Sequence, residues 1–230
     1  MKQNHPLALH EQVLLLALRD DKGTIAPDTM YSYALAGAFV AELMLGGQIK
    51  IVTPKKKPLI ELQAGASSAD RLLQECILKI RNAKRRASVQ TWVSRFASIR
   101  KLHHRVAEGL VHRGILRMDE SKILGIFSRT VYPERDGRPE KALIAKLEKA
   151  IFGTSSALDP EIITLIALSH HSGLLKANLD KKKLRAQKKR IKAIMDGDLA
   201  GKATGQAIEA MQAAIVVACI IPTIVVTTST

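Results

Sequence analysis

Four basic or imidazole side chains fall close together near the middle of the sequence: Arg100, His103, His104 and Arg105. A guanidinium group offers forked donors that match a phosphate, and an imidazole adds positive charge mainly below its usual pKa of about 6.5. In a helix beginning near Ile99, the first three would share one face at positions i, i+3 and i+4, beside free backbone N–H groups. We therefore expect an anion site here that binds more tightly at mildly acidic pH; a solvated helix face is the alternative.

Residues arranged for catalysis are missing from the sequence. It contains neither the His-Glu-x-x-His motif of metalloproteases nor the nucleophile elbow of serine hydrolases. The segment 197–204 resembles a phosphate loop, but three residues rather than four separate its glycines, and Ala203 stands where a magnesium-binding Ser or Thr is needed. Adjacent histidines at 103–104 and 170–171 point about 100° apart on a helix, so neither pair can share one metal ion. The sequence predicts no enzyme, no catalytic residue, no metal and no cofactor, and places the second pair at a helix end near Gly173.

The balance of charge points to an anionic partner. The chain carries 36 Lys and Arg against 21 Asp and Glu, a formal net charge of +15, and residues 51–150 hold most of the excess, with 22 basic and 10 acidic side chains. The segment 180–196 is basic almost all round, with a narrow apolar stripe at Leu184, Ile191 and Ile194. A membrane surface, a nucleic acid or an acidic protein would each satisfy such a charge. For this segment we favour a binding surface over a solvated face.

Apolar periodicity, capping residues and turn residues predict a mainly α protein with one or two short β-hairpins. The expected helices cover 7–19, 33–45, 68–86 (capped by Ser68), 88–97, 99–114, 139–152, a segment opened by Asp159 and Pro160, 180–196 and 202–221. The expected hairpins cover 48–62, with a basic tip, and 115–132, with a polar turn at 119–122. Neither a repeat nor a long linker interrupts the chain, so we expect one compact domain over 1–230 with its core over about 7–220.

Three further features bear on the cellular compartment. Cys76 and Cys219 lie in apolar helical patterns without partners at metal or redox spacing, which is typical of buried thiols in a reducing compartment. Residues 1–6 lack the layout of a signal peptide. The apolar run 213–226 is shorter than the roughly 20 residues that a spanning helix needs, and it contains Pro222. We expect a cytoplasmic protein with a buried C-terminal helix and a short apolar tail; a membrane anchor is the alternative for the apolar run.

The second expected hairpin carries five large apolar side chains. They are Leu124, Ile126, Phe127, Val131 and Tyr132. Such a hairpin can pack on a second copy of the chain, press into a bilayer surface, or cover the core of its own domain. The sequence leaves these three arrangements open, because the alternation of apolar and polar residues is imperfect.

Five segments, taken in order, resemble one protein family. They are LHEQVLLLAL at 9–18 with DDKG at 20–23, ALAGAFVAEL at 34–43, VQTWV at 89–93, LVHRGIL at 110–116 and the segment 159–175. Their order and spacing are similar to those of the Golgi phosphoprotein 3 family, over roughly residues 7–220. The resemblance implies a helical core decorated by a β-hairpin. It also implies the properties of eukaryotic members: binding of phosphatidylinositol 4-phosphate on Golgi membranes through a basic pocket, contacts with glycosyltransferase tails and the retrograde vesicle coat, and self-association through the hairpin.

The resemblance covers about half of the family's basic pocket. Arg100 matches the first of two basic pocket positions three residues apart, His103 occupies the second, and Arg105 matches a nearby basic position. Pro27 stands where the family has a pocket tryptophan, and Ala36 where it has a pocket arginine. The N-terminus also lacks the arginine cluster used for coat binding. The resemblance therefore implies a bacterial or divergent member, with anionic-lipid binding more general than recognition of one phosphoinositide.

These observations together predict a peripheral membrane-binding adaptor that recognises phosphoinositide or other anionic lipid head groups through a basic surface. The expected partners are an anionic phospholipid membrane, a second copy of the chain through the 115–132 hairpin, and client protein tails, at the cytosolic face of the Golgi in a eukaryote. The alternative is a winged-helix nucleic-acid-binding protein, because helix 99–114 precedes a hairpin and the pI is about 10.0. Nucleic acid is the less favoured partner, since the basic residues are not concentrated in that helix and aromatic residues make up only 3% of the chain.

Overall fold

The computed structural model describes residues 6–19, 22–54, 57–123 and 127–200, without the side chains of Ile123 and Phe127. In chain order its elements are α1 (Leu9–Ala17), α2 (Tyr31–Leu45), β1 (Ile49–Val52), β2 (Leu59–Leu62), α3 (Arg71–Arg81), α4 (Val89–Ala97), α5 (Leu102–His112), β3 (Asp119–Ile123), β4 (Phe127–Val131), α6 (Arg138–Phe152), α7 (Pro160–His171), α8 (Leu174–Asn178), α9 (Lys181–Ala186) and α10 (Lys188–Met195). The two hairpins, β1–β2 and β3–β4, are the only sheets in these four described ranges. The prediction of a mainly α fold with short hairpins is confirmed.

Helices α1 and α2 form the centre of the core. All nine residues of α1 are buried, and α2 buries ten of its fifteen. A helix that is buried on all sides has to be enclosed by other elements. Accordingly, α1 contacts α2, α5, α6, α7 and α8, and α2 also contacts α4 and α7. Each fully buried Leu or Phe stabilises the fold by about 1.5–3 kcal/mol, so this pair of helices holds the surrounding elements in fixed positions.

The first hairpin and two helix ends agree with the predictions. Strands β1 and β2 pair antiparallel. Helix α2 ends at Gly46, and Gly47 follows it with φ at +65°, a conformation that glycine adopts without strain. Asp159 is the N-cap of α7, and Pro160 lies in its first turn. Local capping and turn chemistry is therefore sufficient to locate these boundaries.

The described residues test only part of the predictions about buried thiols and membrane-spanning helices. Cys76 is fully buried, and burial, followed by the charge of Glu75, raises the pKa of its thiol to about 12. Cys219, the expected helix 202–221 and the apolar run 213–226 lie outside the described residues. Within those residues, none of the helices combines the length and the apolarity needed to cross a bilayer.

Helix α3 is shorter than the predicted helix 68–86, and Asp70 rather than Ser68 is its N-cap. The Asp70 carboxylate accepts hydrogen bonds from the backbone N–H groups two and three residues ahead, both at 2.8 Å. The Ser68 hydroxyl only accepts from the Asp70 N–H, at 3.2 Å. A carboxylate is also favoured here by the helix dipole. After the helix ends, Arg86 pairs with Glu61 of β2, and the Ile60 N–H donates to the Ala87 carbonyl at 2.8 Å, so the segment beyond Arg81 runs beside β2.

The second hairpin is offset from its predicted position. Residues 119–122, predicted as the turn, lie in β3, which pairs with β4 in a register that places Asp119 opposite Val131. The connection between the strands therefore falls at 124–126, outside the described residues. The apolar pair at 115–116, predicted as the first strand, is buried in the core instead. A ribbon with one face in water accepts polar residues within its strands, so a polar cluster was not sufficient evidence for a turn.

The basic segment predicted as one helix, 180–196, forms two helices. Gln187, with φ at −95° and ψ at +16°, separates α9 from α10. Asp180 caps α9 by accepting from the Lys183 N–H at 2.7 Å. The predicted apolar stripe is confirmed, since Leu184, Ile191 and Ile194 are all buried. The break allows α9 and α10 to apply short apolar faces to a curved core while their cations stay in water.

Candidate anion-binding site

The predicted basic face of α5 is interrupted at its start. Lys101 has φ at +55°, a left-handed conformation, and α5 begins at Leu102. Arg100 therefore precedes the helix, and the prediction that it shares a helix face with His103 and His104 is wrong. The two imidazoles do come together: they occupy the first turn of α5 with ring centroids 4.0 Å apart.

Two tyrosines contact these imidazoles. The Tyr132 hydroxyl lies 2.9 Å from Nδ1 of His104, and the Tyr31 ring meets His103 edge-on. Tyr132 follows β4 directly, so its hydrogen bond ties the end of the hairpin to the first turn of α5. Burial raises the pKa of both tyrosines, and Glu108 adds to this effect at Tyr132. Both hydroxyls therefore remain protonated at neutral pH.

A cleft of about 680 Å³ lies beside His103, His104 and Tyr132. Three cations line it from different parts of the chain: Arg19 just after α1, Lys101 before α5, and Arg129 in β4. All three are exposed, and none of them forms an ion pair with another described residue. Glu108 is the only carboxylate among the described lining residues. The arrangement presents three positive charges and two imidazoles to one open cleft, which suits a phosphate group.

The electrostatics of His103 differ from the prediction. Burial, with a further contribution from His104, lowers the pKa of His103 to about 4. An imidazole with that pKa is only about 1% protonated near pH 6. His103 is therefore a neutral hydrogen-bonding group at physiological pH, and the predicted tightening of anion binding at mildly acidic pH does not arise from it.

The two predicted arginines lie apart from this cleft. Arg105 projects toward α3, where its Nη2 is 2.7 Å from the Glu75 carboxylate. Arg100 is exposed in the turn before α5 and does not line the cleft. Of the four predicted head-group residues, the structure thus brings together His103 and His104. Their role in binding a lipid stays a prediction.

Sequence reasoning missed three of the cleft's cations and the polar role of Tyr132. Arg19 and Arg129 are about 110 positions apart in the chain, and no periodicity relates residues that meet only through tertiary packing. Lys101 lies between two predicted residues, but a helix through Ile99 would have turned it away from them. The signal that was available is the pairing of a polar-tipped aromatic, Tyr132, with the basic Arg129 on one hairpin.

Gly23 fixes the wall of the cleft opposite α5. Its φ is +58°, and its carbonyl accepts a hydrogen bond from the Tyr132 N–H at 2.8 Å. A Cβ at this position would lie 2.1 Å from the backbone nitrogen of Pro133. Only glycine permits this close approach, which brings the segment after α1, with Arg19, against the end of the hairpin.

The two positions at which this chain differs from the family pocket, Pro27 and Ala36, occupy different environments. Pro27 is exposed and lines the cleft. Ala36 is fully buried within α2 and does not reach the cleft. Neither contributes a charge or an aromatic ring, so the cations of this cleft come from other positions. Among the described residues, no three His, Cys, Asp or Glu side chains are grouped so that they could hold a metal ion.

The structure describes only two of the five apolar side chains predicted for the second hairpin to contact a partner or a membrane. Val131 and Tyr132 are 5% and 3% exposed, so they cover the core of their own fold and are not available to a partner or a bilayer. Leu124, Ile126 and the side chain of Phe127 lie outside the described part of the chain, and their role in self-association or membrane contact stays a prediction. Met118, next to β3, is 50% exposed at the edge of the cleft.

The fold and this site define a mainly helical protein with a basic cleft between a helix start and a β-hairpin. Comparison with known families matches residues 9–211 to the family described as Golgi phosphoprotein 3 (GPP34). The match covers most of the sequence, and the chain belongs to the Golgi phosphoprotein 3 family.

Two curated relatives carry the same description, vacuolar protein sorting-associated protein 74. The relative from Eremothecium gossypii is 32% identical over 149 residues, and that from Schizosaccharomyces pombe is 30% identical over 149 residues. Each alignment covers 56% of this chain and 44% of the relative. The chain thus aligns with less than half the length of these relatives.

Proposed function

We propose that this protein is a peripheral membrane adaptor that places a phosphate-bearing lipid head group in the cleft beside His103, His104 and Tyr132. The observation that carries this proposal is the convergence of Arg19, Lys101 and Arg129 on that cleft without carboxylate partners among the described residues. The α5 N-terminus adds backbone N–H groups and the positive end of the helix dipole. The protein acts by binding and carries out no reaction.

The adaptor part of the proposal follows from family membership and from the relatives' names. Those relatives are described as associated with vacuolar protein sorting, and sorting requires a protein that recognises a membrane and a cargo together. We propose that this chain likewise links an anionic membrane surface, at the Golgi in a eukaryotic cell, to the tails of client proteins. The exposed Met118 beside the cleft would contact the interfacial region of the bilayer when a head group is bound.

A liposome flotation assay tests the lipid part of the proposal. Vesicles would contain neutral lipid alone, neutral lipid with phosphatidylserine, or neutral lipid with phosphatidylinositol 4-phosphate. The cleft variant is Lys101→Ala with Arg129→Ala. Its matched control is Lys141→Ala with Lys146→Ala, which removes the same charge from two exposed positions on α6.

We expect the cleft variant to bind phosphoinositide vesicles about tenfold to thirtyfold more weakly, because each cation near an anionic surface contributes on the order of 1 kcal/mol. The control should lose less than about threefold. Equal losses in both variants would mean that net charge alone drives binding, and the cleft proposal would then be abandoned. Binding of duplex DNA in preference to every vesicle would instead support a nucleic-acid-binding protein.

Self-association through the second hairpin is a separate proposal. The connection 124–126 is apolar in sequence, with Leu124 and Ile126 on either side of Gly125. We expect Leu124→Ser with Ile126→Ser to shift the protein toward monomer in light scattering at high concentration. A protein that is monomeric before the substitutions, with vesicle binding reduced by them, would assign this apolar tip to the bilayer.

A further inference from the structure

A second and larger cleft lies on the other side of Pro27. Its volume is about 1410 Å³, and it is bounded by the 26–30 segment on one side and by α7 to α10 on the other. Buried leucine and isoleucine side chains, among them Leu16, Leu184 and Ile191, form its floor. The cleft beside α5 shares only Leu18, Arg19 and Pro27 with it among the described residues. The two clefts are therefore neighbours with separate interiors.

The charge of this second cleft is strongly unbalanced. Its cations are Arg19, Lys176, Lys181, Arg185 and Lys188, and the single carboxylate among its described lining residues is Asp28. None of the five cations forms an ion pair with a described residue. All five are exposed, so water and salt weaken their mutual repulsion, but their excess of four positive charges attracts an anion to the cleft.

Two cations elsewhere on the same basic segment have partners that belong to the fold. Arg190 donates to the backbone carbonyls of Ala150 and Ser155, at 3.0 and 2.8 Å. Lys192 donates to the Asp196 carboxylate in the next turn. Those two side chains serve the fold of the protein. Lys182, Lys183 and Lys189 form no ion pair with a described residue either, so the feature that sets the cleft cations apart is that they line one volume.

Two imidazoles complete the wall of the cleft. His170 and His171 end α7 with ring centroids 5.1 Å apart, which confirms their predicted place at a helix end near Gly173. Burial lowers the pKa of both, and His171 and Lys176 add to the lowering at His170. As neutral rings, they offer N–H donors to an anion without adding to the repulsion among the five cations.

The walls of the cleft are held in place by the backbone. The Met30 N–H donates to the Ser172 carbonyl at 2.8 Å, which links the 26–30 segment to the end of α7. Gly173 adopts φ at +83°, and a Cβ there would lie 3.3 Å from the Asp28 carbonyl oxygen. Ser172 is buried and donates its hydroxyl to the Leu168 carbonyl at 2.7 Å. The cleft therefore exists before any ligand arrives, which lowers the entropic cost of binding.

We propose that this cleft is a second anion site, for a compact ligand that carries two or more phosphate groups. A phosphate monoester carries about −1.5 to −2 charges near neutral pH, so two of them match the excess of positive charge within a small volume, and further phosphates exceed it. Carboxylates spaced along an acidic peptide provide a lower charge density. The phosphates can belong to the head group of a polyphosphorylated lipid or to a soluble polyphosphorylated molecule, and the site does not depend on the cleft beside α5.

Isothermal titration of the whole chain with inositol hexakisphosphate and with pyrophosphate, at about 0.15 M salt, tests this site. The cleft variant is Lys181→Ala with Arg185→Ala. The matched control is Lys182→Ala with Lys189→Ala, two exposed residues, one on α9 and one on α10, that do not line the cleft. We expect the cleft variant to bind hexakisphosphate at least about tenfold more weakly, and the control to change by less than about threefold.

Further arms separate this site from the proposed head-group site and identify the source of the phosphate. Lys101→Ala with Arg129→Ala should leave hexakisphosphate binding unchanged, even if it abolishes vesicle binding. In one experiment, soluble hexakisphosphate competes with vesicles containing phosphatidylinositol 4,5-bisphosphate. If it displaces the wild-type protein from the vesicles but not the Lys181 and Arg185 variant, the site binds lipid. If the protein binds hexakisphosphate without being displaced, the site binds a soluble ligand. Equal weakening in the cleft and control variants, no measurable binding, or tighter binding of a polyglutamate peptide or duplex DNA would overturn the proposal.

Discussion

His103 is a half-buried imidazole whose neutral form the fold requires. Its pKa is about 4 in the protein against 6.5 in an exposed imidazole, because of burial and then of His104. The stability that it contributes is thus complete above about pH 6.5 and is lost as the pH falls toward 4, where the unfolded chain takes up a proton and the folded protein does not. Burial lowers the pKa of His170 and His171 too, so they act in the same direction.

We predict that His103→Gln reduces the loss of unfolding free energy between about pH 7 and pH 4.5. The expected difference is about 1–2 kcal/mol, which discounts the full pKa shift for the solvent that reaches a half-buried ring. Urea titrations at the two pH values measure it. His112→Gln removes an exposed imidazole from the other end of α5 and serves as the control; the same change in both variants would contradict the prediction.

Glu42 is the polar centre of the α1–α2 contact. Its carboxylate accepts from the Leu9 and His10 N–H groups at 2.9 and 3.4 Å, and its Oε2 also pairs with Nδ1 of His10. Burial disfavours the charged form of His10, but the hydrogen bond with Glu42 and the nearby carboxylates outweigh it and raise the pKa of His10. The stability from this pair is therefore complete below about pH 6.5 and is lost as the pH rises through the raised pKa.

Glu42→Ala should lower the free energy of unfolding by about 2–4 kcal/mol at pH 6, because it leaves buried donors at the start of α1 without an acceptor. The loss should become smaller as the pH rises through the raised pKa of His10, because His10 then becomes neutral in the wild-type protein as well. Glu148→Ala, at an exposed position of α6, is the control and should change stability by less than about 0.5 kcal/mol. A loss that does not depend on pH would show that the charge of His10 contributes nothing.

At the scale of single elements, the N-cap of α3 is a test of helix-end chemistry. Asp70→Ala removes an acceptor that serves two backbone N–H groups, and we predict a loss of about 1 kcal/mol. In a chain of this size this is a fall of roughly 2–4 °C in the melting temperature. Ser68→Ala should have an effect of less than half of this in the same calorimetric experiment. The reverse order would restore the original assignment of the cap to Ser68.

Alanine substitutions at Gly23 and Gly65 distinguish the cost of backbone strain from the cost of close packing. Both have positive φ, at +58° and +74°, but a Cβ at Gly23 collides with the backbone of Tyr132 and Pro133, whereas a Cβ at Gly65 meets nothing within 4 Å. We predict that Gly65→Ala costs about 1 kcal/mol from strain alone and Gly23→Ala clearly more. Gly23→Ala should also weaken binding of phosphoinositide vesicles, since it displaces the segment carrying Arg19 from the hairpin. Similar stability in the two variants would mean that the loop relaxes without strain.

For the whole molecule, the net charge of +15 predicts a strong dependence of membrane binding on salt. Screening shortens the range of charge interactions from about 10 Å at 0.1 M salt to about 3 Å at 1 M. We expect binding to phosphatidylserine vesicles to fall at least about tenfold between 0.1 and 0.5 M salt, because it depends on dispersed surface cations. Binding to phosphatidylinositol 4-phosphate vesicles should fall less, because hydrogen bonds between the cleft's donors and a phosphate act at short range, where salt screens less than it does at long range. Parallel losses on both vesicle types would argue against a head-group site.

Much of the fold could be predicted because its information is local. Residues 9–18 and 34–43 are mostly apolar, which requires burial whatever surrounds them. Asp159–Pro160 and Gly46–Gly47 mark helix ends by their own backbone preferences. The position of the turn in the second hairpin was predicted wrongly for the opposite reason. Its strands are polar on the face that meets water, so the position of its turn depends on which residues the core takes from the neighbouring segment, here 115–116.

The features of the candidate site also fall into two groups, those set by local sequence and those set by tertiary packing. The sequence by itself determined the family, the helical class, the excess of positive charge and the pairing of His103 with His104, because composition, order and short-range spacing carry those properties. Only the tertiary structure decided that the chain turns at Lys101 before α5, that Arg105 forms an ion pair with Glu75, and that Arg19 and Arg129 line one cleft. The physical reason is that a charge acts through distance in space, and distances between remote segments are set by how the α1–α2 core positions everything packed around it.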